Sequence, residues 1–358
     1  MGYPQIEVDT QKLKHNLNYL SSYLHDKGLT VAGVTKVFGA HPELSKIYSE
    51  VDTIDYLADS RLENFKNYPE ESKKPKLLLR IPMLSEVKKL IQLADISLNS
   101  EIKTIREISK EAKAADRTHQ IFLMIDLGDL REGVFEEQEV YDYVEEILNL
   151  ENIELKGIGV NLTCYGAIIP NRSILQKLVD YKHAIKEKFN YTIDIISGGN
   201  SSSLYLLEPG TEGMPEEVNM LRVGESFVLG GETAFGKAIP EMHTDVFTLK
   251  AEIIEYRDKP SLPIGNVGKD AFGNKPTFID KGTMKRGILG IGRQDVNFEK
   301  ITPRDSRLEV IGSSSDHLIV DFTEASDDYK LGDIVEFDVS YGSLLDAFTS
   351  SYVEKIIN

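Results

Sequence analysis

Between residue 29 and about residue 225, short runs rich in β-branched and apolar residues alternate with longer stretches whose apolar positions recur every three or four residues. That rhythm is the pattern of βαβ units and a parallel sheet. The strand-like runs are LTVAGVTK, TIDYLAD, KLLLRI, DISLN, QIFLMIDLG, IELKGIGVNL, TIDIISGG and VNMLRVG, eight in all. Between them the helical period runs through HPELSKIYSEV, RLENFKNY, LSEVKKLIQLA, SEIKTIREISKEAKAA, EEQEVYDYVEEILNL, RSILQKLVDYKHAIKEKF and SSSLYLL, with DTQKLKHNLNYLSSYLHD leading. Eight such repeats predict an α/β fold, a TIM-type (β/α)8 barrel.

After residue 235 the texture changes to strand-length runs broken by Gly, Pro, Asn and Asp: TDVFTLKAEIIEYRD, RGILGIG, RLEVIG, DHLIVDF and DIVEFDVSY. This predicts a C-terminal all-β domain, so residues 1–235 are assigned to the barrel and 236–358 to the β domain. One stretch, KPSLPIGNVGKDAFGNKPTFIDKG, exceeds an ordinary connection and reads as either a functional lid or a disordered excursion.

Composition narrows the partners. With 41% hydrophobic and 28% charged residues and no run of 18 apolar positions, the chain reads as a globular protein without a membrane span. The net charge of −17 argues against nucleic acid and anionic membranes, which demand clustered Lys and Arg, and leaves small molecules. The N-terminal MGYPQIEVDTQK carries no export signal, and the single cysteine excludes a disulfide framework and a cysteine-rich metal site. A cytoplasmic protein that takes a small-molecule substrate and no metal is expected.

In a barrel of this type the reactive groups sit at the C-terminal ends of the strands. Those ends hold Lys36, Asp59, Arg80, Asn99, Asp126, Asn161, the run from Ser197 to Ser203, and Arg222. Taken singly, each could be no more than a polar loop residue. Lys36 stands apart, because a lysine desolvated at a barrel rim can act as an amine nucleophile toward an aldehyde such as pyridoxal phosphate. SGGNSSS offers glycines, hydroxyls and helix-start amides to a phosphate, although Gly/Ser runs are also plain turns. Arg222 is a partner for a ring nitrogen.

These residues resemble the fold-type III pyridoxal-phosphate enzymes of the alanine racemase family over nearly the whole chain. Within it, GVNLTCYGAIIP, PSLPIG, DAFGNKP and SSDHLIVD resemble the ornithine racemases. The resemblance implies pyridoxal 5′-phosphate as cofactor and racemisation of a free amino acid, L-ornithine to D-ornithine. VAGVTKVFGAHPE puts the covalent attachment on Lys36, and DLGDLREGV offers Arg131 to the substrate carboxylate and cofactor phenolate. SGGNSSS implicates Asn200 and Ser201, and LRVGES gives Arg222 for the pyridine nitrogen with the amides of Gly224 and Glu225 for the phosphate. Tyr341, in VSYGSLL, falls where a phosphate-contacting tyrosine is expected. A homodimer is implied as well.

Two departures stand out. Where the family carries its opposite-face tyrosine, IGRQDV has Arg293, and Met124 replaces the family's modified lysine. Racemisation needs proton transfer on both faces, so Lys36 is assigned to one and Cys164 to the other, since a thiol serves as acid or base. The plainer reading of Cys164 is a small buried apolar residue. His41, His317 and Tyr341 are alternatives. Asp270, Asp295 and Asp316 are candidates for the distal amine of ornithine, or else solvated surface. Competing readings are a racemase for lysine or alanine on the same scaffold, a non-catalytic cofactor carrier, and a hydrolase in which Lys36 is a structural ion pair. Related decarboxylases use a carboxylate at the ring nitrogen, so Arg222 counts against them.

Overall fold

The computed structural model describes residues 2–269, 273, 275 and 277–358. The contacts divide the chain into two compact units, one of Gln11–Thr244 and one of Met1–Thr10 with Asp245–Asn358. The N-terminal segment, assigned to the barrel from sequence, thus groups with the β unit. Its strand β1 (Gln5–Val8) pairs there with strands far along the chain.

In the first unit, eight parallel strands close into a barrel in chain order. They are β2 (Thr30–Val34), β3 (Tyr56–Asp59), β4 (Lys76–Leu78), β5 (Ile96–Asn99), β6 (His119–Met124), β7 (Ile153–Gly159), β8 (Ile195–Ser197) and β9 (Met220–Val223). Each lies within a run read from the sequence, except that β6 begins one residue earlier. Closure comes from β2 against β9, with Ala32 opposite Arg222 and Gly33 opposite Val223.

Alternate positions pack on each other in one cluster: Ala32, Val34, Ala58, Leu77, Ile96, Leu98, Phe122, Met124, Ile195 and Met220. The intervening residues, such as Ile121, Leu123, Leu155, Ile158 and Ile196, pack in another cluster with the surrounding helices. The period of two along a strand produces this division. On β7 the inward positions are glycines. A Cβ on Gly157 would fall 2.8 Å from the Ile195 carbonyl oxygen and 3.1 Å from Phe122 Cδ1.

The helices of this unit are α1 (Thr10–Asp26), α2 (Pro42–Glu50), α3 (Val87–Leu93), α4 (Ile102–Ala114), α5 (Glu137–Leu148), α6 (Arg172–Phe189) and α7 (Glu225–Leu229). Helix α1 buries Leu13, Asn16, Leu17, Leu20, Ser21 and Leu24, one stripe of a 3.6-residue period. Its Asn16 donates to the carbonyls of Phe227 and His243 and accepts from the His243 amide, which ties the helix to the barrel's last turn. Two expected helices are shorter and tighter. Residues 61–68 form only a 3-10 turn at Asn64–Asn67, where Asn64 Nδ2 donates to Asp59 and Pro69 follows one residue beyond. SSSLYLL is a 3-10 helix, Ser201–Leu207, capped by the Asn200 side chain.

In the second unit the sheet runs β12 (Ile301–Pro303), β15 (Ile334–Val339), β10 (Phe247–Pro260), β11 (Thr283–Leu289), β14 (Leu318–Asp321), β13 (Glu309–Ser313), with β1 joining β10 to β16 (Glu354–Ile357). A helix, α8 (Tyr341–Thr349), begins at the tyrosine of VSYGSLL, with Ser340 as its N-cap. Among the described residues no helix is long and apolar enough to cross a membrane.

Candidate active site

Strand β2 ends at Val34, and the chain tightens into a 3-10 turn, Lys36–Phe38, closed by Gly39 at φ 57°. Thr35, fully buried, anchors this turn: its hydroxyl donates to Asp59 Oδ2 at 2.8 Å and lies 2.8 Å from the Tyr68 hydroxyl. Asp59 Oδ1 accepts from the Arg61 amide and from Asn64 Nδ2. Burial raises the Asp59 carboxyl, although the Thr35 and Asn64 hydrogen bonds oppose the shift. Lys36 itself is half-buried. Its charge acts on Glu225 of the neighbouring strand end, whose carboxyl is raised by burial and drawn back by the lysine.

Arg222 faces inward from β9 and is 4% exposed. It donates through Nη1 to Ser197 Oγ and through Nη2 to the Val160 carbonyl at 2.8 Å and Asn161 Oδ1 at 3.4 Å. Burial pulls its pKa down to about 10, with Glu132 and Cys164 opposing and Arg131 adding to the shift, so the guanidinium stays charged at neutral pH. Asn161 connects this group to its surroundings. Its Oδ1 also accepts from Asn200 Nδ2 at 2.9 Å, while its own Nδ2 donates to Glu132 Oε1 at 3.3 Å and to Cys164 Sγ at 3.3 Å.

The loops after β6 and β7 are pinned to each other by Asp129, which is 1% exposed. Its carboxylate accepts from the amides of Tyr165 at 2.9 Å and Ile168 at 3.3 Å. Burial alone would raise this carboxyl, but the loop amides together hold it below its ordinary value. Gly133, at φ 128°, permits the turn, because a Cβ there would lie 2.3 Å from the Asp126 amide nitrogen. Arg131 in this loop is paired with Glu132, which raises the guanidinium pKa. Sequence reasoning named the arginine and missed the glutamate beside it.

At the end of β8, Asn200 Oδ1 caps the 3-10 helix by accepting from the Ser202 amide at 2.9 Å. Ser201 Oγ receives long hydrogen bonds from the amides of Gly224 at 3.4 Å and Ser226 at 3.3 Å, which brings the two segments together. Ser202 Oγ is buried without a hydrogen-bond partner. A buried hydroxyl left so costs about 1–3 kcal/mol, a cost that phosphate oxygens can relieve. An amine, a serine-rich helix start with an orphaned hydroxyl and a buried guanidinium fit pyridoxal 5′-phosphate.

Cys164 is exposed, contrary to its plainer reading as a buried apolar residue, and its sulfur also receives Asn200 Nδ2 at 3.7 Å. Other candidates lie in the β unit. Asp295, a candidate for a distal amine, is 3% exposed and accepts from the Gly292 amide and the Ser350 hydroxyl, closing a turn. Asp316 is exposed and paired with His317 Nδ1 at 2.7 Å, so neither is unengaged. Arg293 donates to the Ser313 carbonyl and stacks over Phe298, and Tyr341 opens α8. Asp270 lies outside the described residues. His41 precedes α2 at its N-terminus, and Met124 is buried in the barrel.

Known proteins share the sequence and the fold of this chain. Residues 8–230 match the alanine racemase N-terminal domain. The chain is 48% identical over 353 residues to the ornithine racemase of Acetoanaerobium sticklandii, covering 99% of both chains. It is 36% identical over 357 residues to the lysine racemase of Thermotoga maritima, again covering 99% of both. Among solved structures, the alanine racemase of Bartonella henselae with covalently bound pyridoxal phosphate superposes with a TM-score of 0.74 at 16% identity, each chain covered completely. The full-length relatives and the family match make the chain an enzyme of the racemase class. The chain belongs to the alanine racemase family.

Proposed function

We propose that the chain interconverts the enantiomers of ornithine, with pyridoxal 5′-phosphate held at the C-terminal end of the barrel. The observation that carries the reading is the closing pair of strands: β2 leads into the turn that bears the half-buried Lys36, and its partner β9 carries the buried Arg222. The whole-length similarity to an ornithine racemase supports the substrate. Similarity to a lysine racemase favours lysine as a second substrate, since one methylene is worth only about 1–3 kcal/mol of discrimination.

When bound, the cofactor supplies the electron sink that acidifies the substrate's α-C–H bond. Lys36 offers the amine for covalent attachment, and its Nζ takes or returns the α-proton on one face. Cys164 Sγ does so on the other, oriented by Asn161 and Asn200. Arg222, charged at neutral pH, would face the ring nitrogen of the bound cofactor and favour its unprotonated form, and so proton return over longer-lived chemistry. Ser201, with the amides of Gly224 and Glu225, holds the phosphate, and Arg131 holds the substrate carboxylate.

A homodimer is the working form. Leu130, Phe135, Tyr165 and Phe235, between 54% and 75% exposed on the barrel unit, support an association surface. The experiment incubates pure protein and cofactor with a panel of L-amino acids in heavy water, following α-deuterium uptake and optical rotation. Deuterium uptake with loss of rotation for ornithine, and a yellow chromophore reducible by borohydride, are expected. Decarboxylation products, or no chromophore, would overturn the reading.

A further inference from the structure

We infer that Glu132 is a positioning residue of this site, fixing the plane of Arg131 and standing as the counter-charge to the buried Arg222. The inference rests on the racemase reading, in which Arg131 holds the substrate carboxylate and Arg222 the ring nitrogen.

Glu132 is no ordinary surface partner. Its side chain is 14% exposed, against 44% for Arg131. Oε2 accepts from Arg131 Nε and Oε1 from Nη2 at 2.6 Å, so the carboxylate occupies one edge of the guanidinium fork. The other edge, Nη1 with the second Nη2 hydrogen, is thereby presented in a fixed plane, and Nη1 makes no hydrogen bond among the described residues. A planar bidentate donor held this way suits a carboxylate.

The second role follows from what surrounds Arg222. Its direct acceptors, Ser197 Oγ, the Val160 carbonyl and Asn161 Oδ1, are all neutral. A charge buried among neutral groups is unfavourable without a compensating one nearby. Glu132 supplies it at one remove, through Asn161 Nδ2 at 3.3 Å. Because the carboxylate does not touch Arg222, it offsets the charge without occupying the arginine's donors. One carboxylate therefore serves two guanidiniums and sets both relative to Asn161, Asn200 and Cys164.

The test compares the full chain with Glu132→Gln and Glu132→Asp. In Glu132→Gln the KM for ornithine should rise roughly 10- to 100-fold, the range for losing a hydrogen bond to a charged group. The visible absorption band of the bound cofactor should shift, and Glu132→Asp should restore much of both. A KM and band unchanged in Glu132→Gln would overturn the inference. So would equal damage in both variants with an unshifted band, which marks packing alone. The crystal structure of cofactor-free Glu132→Gln gives a readout that needs no activity: displacement of Arg131 from its present plane is expected, and an unmoved Arg131 refutes the role. A wild type that neither binds cofactor nor racemises would sink the functional reading, while that crystallographic comparison still decides the part played by Glu132.

Discussion

Replacing Cys164 by serine removes one proton-transfer group and little else. The sulfur is exposed and only receives donors, Asn161 Nδ2 at 3.3 Å and Asn200 Nδ2 at 3.7 Å, a role that a hydroxyl oxygen can take over. Stability should therefore change by no more than about 0.5 kcal/mol, less than about 1 °C in Tm for a chain of this size. Asn161 keeps its contact with Arg222 and Asn200 keeps its cap on Ser202, so cofactor binding should also survive. A hydroxyl is a far poorer acid and base near neutral pH than a thiol. Losing one general acid–base group costs about 100- to 10,000-fold in rate, equivalent to roughly 3–5 kcal/mol of barrier. In heavy water, racemisation should fall by that factor. Deuterium should still enter the one enantiomer whose α-hydrogen faces Lys36, with configuration retained. Racemisation within threefold of wild type would refute the assignment, and so would exchange lost equally from both enantiomers.

Three further outcomes are expected. Burial first, then the Arg117 charge, holds the His119 pKa at about 4. The unfolded chain gains a proton as pH falls below about 6.5 while the folded chain does not, so stability should fall by roughly 2–3 kcal/mol between pH 7.5 and 4.5; urea unfolding of His119→Gln should show a smaller loss. Gly157→Ala places a methyl against the Ile195 carbonyl and Phe122 inside the barrel and should cost about 1–3 kcal/mol, visible in calorimetry as a lower Tm. Asp129→Ala leaves the amides of Tyr165 and Ile168 without their acceptor, and should release the loop carrying Cys164, raising its hydrogen exchange and slowing turnover more than it weakens cofactor binding.

The barrel was legible because its strands carry their own signal. Runs such as QIFLMIDLG are apolar on both faces, as strands buried between barrel and helices must be. What escaped was non-local. QIEV is too short to declare itself, and its strand exists only because Gln5 meets Lys250 on one side and Glu354 on the other. EKII was missed for the same reason. In RLENFKNY the apolar spacing suggested a helix, but the Asn64 side chain donates to Asp59 and stabilises a single tight turn. Lys36 and Arg222 stood out as candidates because strand ends in a barrel are predictable positions. Glu132 was not, since a carboxylate beside an arginine in sequence says nothing of Asn161, which reaches it from the next strand's loop. For Asp295 the acidity was visible in the sequence, while its burial against Ser350 was not.

Strand β1 precedes the entire barrel in the chain, and both of its partners follow it, β10 about 240 residues later. On a ribosome adding about 5–20 residues per second, that delay is roughly 12–50 seconds. The nascent protein thus emerges with a sticky edge whose mate has not been translated, while the intervening segment has time to close on itself.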